Sequence, residues 1–99
     1  MGETRQERDD RERRRRIMEQ QVAARVAIGA ELRRAREDAN VSLRALGRAS
    51  GVHPTHLARA EAGAHGLSHD ALVAAATALG RNVSVRLFET SIAMVRDRL

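Results

Sequence analysis

A chain of 99 residues leaves room for one small domain and an arm, and its apolar residues are mainly Ala, Val and Leu with Phe88 the single aromatic, so the core must come from close helix packing. There is no cysteine, which excludes disulfide staples and thiolate metal sites; no apolar run approaches ~20 residues and no secretory signal is evident, so the expected location is the cytoplasm, with no membrane as partner. All 18 cationic side chains are arginine against 13 acids, a net charge of +5 that favours an anionic partner such as nucleic acid.

That charge is unevenly placed. Residues 1–16 hold seven Arg against five acids and residues 81–99 hold four against two, whereas residues 26–80 hold six against five. Phosphate attraction must therefore depend on where each guanidinium stands. Residues 1–21 read as a charged arm, either a helical extension or disordered. Glu7 with Arg11, Asp9 with Arg13, Asp10 with Arg14 and Glu12 with Arg16 each place an acid four residues before an arginine, the spacing that supports an exposed helix by ~0.2–0.5 kcal/mol per pair. No apolar residue lies between Thr4 and Arg16 to hold that arm by packing. It is either a solvated segment or one that contacts phosphates or a partner. Ile17, Val22 and Val26 then lead into a first helix whose apolar stripe is Ile28, Leu32, Ala35 and Ala39, ending near Asn40.

Residues 22–80 read as the folded domain, and its most specific segment is Ser42 to Gly63. Ser42 is a natural N-cap for a helix with Leu43, Leu46 and Ala49 on one face. Gly51 follows where that helix must stop and the chain must turn, and glycine adopts left-handed backbone without steric cost. Pro54 suits the first position of a second helix, which turns Leu57, Ala60 and Glu61 inward and closes at Gly63. Gly47 stands where the two helices should pass closest, at a propensity cost of ~1 kcal/mol against alanine. This is the layout of a helix-turn-helix.

Ser68 then caps a helix over His69 to Leu79, with Leu72, Ala75, Ala76 and Leu79 inward and Gly80 at its end. Residues 81–99 read as a separate dimerisation or partner-binding segment. Over Asn82 to Phe88 the period changes to two, with Val83, Val85 and Leu87 alternating, which reads as a strand. A lone strand needs a second to pair its backbone groups, and the chain offers no strong candidate. Pairing across a twofold axis in a homodimer is the expected answer; an extended tail lying against the first helix is the alternative. Ser91 to Leu99 reads as a short closing helix.

The second helix of the motif is the one that enters a major groove, with its N-terminal residues at base edges. Its outward residues are His53, Pro54, Thr55, Ala58, Arg59 and Ala62. Arg59 can bond guanine O6 and N7 together, worth about 1–3 kcal/mol of discrimination. Thr55 can hydrogen-bond a base or phosphate, Ala58 can meet a thymine methyl, and His53 and His56 can donate to phosphate or bases. A helix cap is the competing role for His53, and a solvated side chain the competing role for Arg59 and Thr55.

Ile28-Gly29, Arg36, Ser42, Leu46-Gly47, Gly51-Val52, Leu57, Glu61 and Gly63 together resemble the Xre or phage-repressor (Cro/C1-type) helix-turn-helix family, over about half of the chain from Ile28 to Leu79. The resemblance implies an all-α, compact four- to five-helix, lambda-repressor-like domain that binds double-stranded DNA. It also implies an ion pair of Arg36 with Glu61, joining the first helix to the end of the reading helix. Two departures weaken the family's grip on phosphate. Leu43 stands where a polar residue usually contacts the backbone, leaving Ser42 or Arg44 to substitute, and the loop Ala62 to Leu67 holds only His65 in place of Lys or Arg.

An enzyme is not expected. His53, His56, His65 and His69 lack a carboxylate in a ligand-like cluster, so no metal is expected, and no phosphate-cradling loop, cofactor motif or triad is present. Two functions fit. One is a sequence-specific transcriptional regulator, a repressor acting as a homodimer on a near-palindromic operator. The other is an antitoxin-like module that neutralises a partner protein and autoregulates its operon.

Overall fold

Thr4 starts the first helix by turning its hydroxyl back on the chain: Oγ1 accepts from the Glu7 N–H at 3.1 Å. From there α1 runs unbroken over Arg5–Asp38, 34 residues, in a computed structural model that describes residues 2–89. Its length is roughly 50 Å at a helical rise of ~1.5 Å per residue. The arm and the first helix are thus one element. Arginine and acid pairs line its exposed half, but the rotamers meet at three residues as often as at four. Arg13 reaches Asp10 at 3.0 Å and Arg15 reaches Glu12 at 2.9 Å, while Arg16 reaches Glu12 at 3.5 Å and Arg11 turns to Glu3 at 3.0 Å.

Three short helices gather against the other half: α2 (Leu43–Ser50), α3 (Pro54–Glu61) and α4 (His69–Ala78). Ser42 and Ser68 cap α2 and α4, each Oγ accepting at 3.1 Å from the N–H three residues on. Gly51 ends α2 at φ 76°. α3 packs on α1, and α2 lies between α3 and α4. Leu32, Leu46, Leu57, Ala60 and Ala75 form the core, with Val52, Leu67 and Leu79 packed on its margin.

The face that α1 turns inward differs from the expected apolar stripe. Ile28 is 44% exposed and Ala39 lies outside as the C-cap; the buried positions are Gly29 and Leu32, flanked by half-buried Arg25, Ala35 and Arg36. A Cβ on Gly29 would overlap the Ala60 carbonyl oxygen, so only glycine lets α1 lie this close to the backbone of α3. In α2, likewise, Ala49 is exposed, and the seam is made by Leu46 and Gly47.

The expected strand over 82–88 does not form: residues 81–89 hold neither helix nor strand. A ladder needs a second strand, and the described residues contain none. Val83 is half-buried in a groove with Ile28, Leu32, Ala76 and Leu79, so the segment begins as a tail laid against α1 and α4. Val85, Leu87 and Phe88 are 70%, 97% and 79% exposed. Four helices lie among the described residues, and the fifth, expected over Ser91 to Leu99, lies outside them.

Candidate nucleic-acid interface

The elbow between α2 and α3 sets the geometry of the outward surface. A Cβ on Gly47 would come 2.8 Å from Pro54 Cγ and 3.0 Å from the Val52 carbonyl oxygen, so the absent side chain is what lets α3 start so close beneath α2. Ser50 fixes the turn twice, donating from Oγ to the Leu46 carbonyl at 2.7 Å and accepting the Val52 N–H at 3.1 Å. Pro54 occupies the first turn of α3, where its missing N–H has no partner to lose. Leu57 is 0% exposed and Ala60 is buried beside it. One face of α3 is therefore sealed, and Thr55, Ala58, Arg59 and Ala62, at i, i+3, i+4 and i+7, stand in solvent on the other.

A clamp fixes the far end of α3. Arg36 on α1 donates from Nε to Glu61 Oε2 at 2.6 Å and from Nη2 to Oε1 at 2.9 Å, and its Nη1 donates to the Val41 carbonyl at 2.9 Å. The side chains are only 15% and 6% exposed. The hydrogen bond to Glu61 is the main reason the Arg36 guanidinium holds its proton more tightly than an ordinary arginine, against the opposing cost of burial. Two parallel bonds fix angle as well as distance, so the carboxylate is occupied in orienting α3.

Residues 27–87 match the family model described as a helix-turn-helix domain. The chain belongs to the helix-turn-helix domain family. No curated protein and no solved structure matches it.

Within the helix-turn-helix, the candidate residues separate by what already occupies them. Arg59 and Arg44 have no side-chain hydrogen bond or ion pair among the described residues, and both are exposed. Ser42 has a structural task, capping α2. His53 caps α3, its Nδ1 accepting the Thr55 N–H at 3.1 Å, which requires the lone pair on Nδ1 and leaves Nε2 as the nitrogen that can donate outward. The His53 and His56 rings are 6.0 Å apart and tilted by 58°. His56, Arg59 and His65 line one cleft that continues to Ser68 at the start of α4. The described residues contain no group of three His, Cys, Asp or Glu that could hold a metal ion.

Two positions were not legible as parts of this surface. Gly29, by sequence only one residue of the motif, sets the distance between α1 and α3. Arg25, outside the motif, lines a second cleft with His65 and Gly66. The signal was available: Arg25, Gly29, Leu32 and Arg36 stand at i, i+4, i+7 and i+11, one helical face on which only Leu32 is a large apolar residue.

Proposed function

We propose that this protein is a sequence-specific DNA-binding transcriptional regulator, a repressor that acts as a homodimer on a near-palindromic operator and reads base edges with α3. The observation that carries the reading is the two-sidedness of α3. Its inner face is locked by Leu57, Ala60 and the Arg36–Glu61 clamp, while Thr55, Ala58 and an Arg59 unpaired among the described residues are presented on the exposed side. The planar donor fork of an arginine carried on a helix of fixed orientation suits guanine O6 and N7. The likeness of the motif residues to the Xre and phage-repressor pattern supports the same reading, and the cytoplasm is the compartment it requires.

Arg59→Ala tests it. Selection of bound fragments from a randomised duplex pool should return a defined site for the native chain. The variant, with unchanged helicity, should bind more weakly and lose about 1–3 kcal/mol of discrimination at one base pair. An identical binding profile for the two chains rejects the assigned reading face.

The homodimer rests on residues 82–89. Among the described residues they make no backbone hydrogen bond to another main chain, and three large apolar side chains there stand in solvent. A second copy of the same segment satisfies both, pairing backbone with backbone through Val83, Val85 and Leu87. Light scattering should find the full chain dimeric and a chain lacking residues 82–99 monomeric, with reduced DNA affinity. A truncated chain that still dimerises ends the strand-pairing idea. A full chain that is monomeric favours the second reading, in which the same exposed segment docks on a partner protein such as a toxin.

A further inference from the structure

The loop between α3 and α4 brings no lysine or arginine of its own to the edge of the reading surface, but α1 brings one to it. Arg25 lies one turn before Gly29 on the inward face of α1, and its stem crosses the loop at Gly66. A Cβ on Gly66 would come 3.5 Å from Arg25 Cδ and 3.6 Å from Cγ, ordinary contact. Val26 beside it presses on Gly63 in the same loop, where a Cβ would come 2.8 Å from Val26 Cγ2. The Arg25 side chain is thus held against the turn instead of sweeping through solvent.

Its charge has no counterpart. Arg25 Nε is buried without a hydrogen-bond partner, and neither terminal nitrogen is bonded or ion-paired within the described residues. Being absent from the buried unpartnered atoms, those two nitrogens reach solvent. The residues one turn away on α1 are Gln21, Val22, Ile28 and Gly29, and the cleft that Arg25 lines contains no acid. Arg11, Arg13, Arg15, Arg16 and Arg33 on α1 find carboxylates; Arg25 differs in having its stem packed on the loop in a cleft lined by no acid. A buried donor left unpaired is unfavourable and is uncommon in folded chains. His65 lines this cleft and also the neighbouring one with His56 and Arg59, so Arg25 continues the unneutralised edge that begins on α3.

We infer that Arg25, with His65, grips a backbone phosphate of the DNA duplex beside the site read by α3, supplying from α1 the cation that the loop 62–67 lacks. The inference rests on the proposed DNA reading and assigns a contact that positions without reading sequence. The guanidinium approaches with its stem already immobilised by Gly66, so less side-chain freedom is lost on binding.

The test uses the full chain, a labelled duplex of random sequence and the duplex pool selected by the native chain, each titrated from low to physiological salt. Arg25→Met keeps the stem against Gly66 and removes the charge. It should weaken binding to both duplexes alike, by about fivefold to tenfold, and reduce the steepness of the salt dependence by about one unit. Arg25→Lys should restore the steepness. Unchanged affinity and salt slope in Arg25→Met overturn the inference, while the α3 reading survives if Arg59→Ala still loses discrimination. Should Arg25→Met lose helicity, Arg25→Gln carries the same comparison. If the native chain binds neither duplex at low salt, the inference and the reading beneath it both fall.

Discussion

Gly29→Ala sets helix propensity directly against packing. In an exposed helix the change favours folding by ~1 kcal/mol, because alanine restricts the unfolded chain and glycine does not. Here the new methyl would overlap the Ala60 carbonyl oxygen and sit 3.1 Å from both the Ala60 carbonyl carbon and the Glu61 carbonyl oxygen. All three atoms are backbone of α3 and its C-terminal end, so none can rotate aside, and α1 and α3 must part. Overpacking of a tight seam is unfavourable by about 1–3 kcal/mol. The separation also loosens Leu32 against Leu57 and Ala60 and stretches the Arg36–Glu61 clamp, which places the variant at the upper end of that range. The net result is a loss of about 2 kcal/mol, or roughly 8–16 °C in Tm for a domain of this size. Circular dichroism melts at matched protein concentration measure it, with Gly66→Ala as a control whose methyl meets only ordinary contacts. A Gly29→Ala chain that melts above the native one refutes the close approach and the geometry built on it.

Glu61→Gln should destabilise the fold by about 1.5–3 kcal/mol, because a half-buried guanidinium keeps its charge while its acceptor loses its own; urea unfolding that shows no change would mean the clamp is idle. Acid should erode a small contribution from Glu37 on the surface of α1. The hydrogen bond from Arg33 at 2.7 Å, followed by the Arg33 charge, holds that carboxyl below the usual carboxylate range. A carboxyl lowered in the fold stabilises it above the unfolded pKa, and the contribution fades as pH falls through the folded value. Arg33→Ala should therefore lower the neutral plateau slightly and leave the acid end unchanged, flattening the acid limb by the same small amount, since both side chains are largely solvated.

The elbow was legible because its constraints are local. Ser42, Gly51, Pro54 and Gly63 each answer a backbone requirement within a few residues of themselves, and each does in the structure what its chemistry dictates. The facing of α1 was not legible from hydrophobic periodicity. Its buried face is written as Arg25, Gly29, Leu32 and Arg36, two charges and a glycine around one leucine, so the apolar stripe beginning at Ile28 points slightly away from the true seam. The continuity of α1 was readable only as an option, since ion pairs support a helix without deciding its length. The segment 82–88 carries a strand's alternation, but a strand is a property of two segments, and the partner lies in no described part of this chain. As for the surface, Thr55 and Arg59 follow from which side of α3 Leu57 seals, whereas Arg25 needs the path of the loop across α1.

The unbroken course of α1 makes the molecule a lever. Between Gly2 and Gly29 the sequence has no proline and no glycine, the usual joints at which a long helix bends. Roughly 30 Å of rod therefore extends ahead of Arg25, at ~1.5 Å per residue, stiffly coupled to the segment that grips α3. A force applied near Thr4 is therefore carried along the rod to Gly29, the point where α1 lies closest to the backbone of α3.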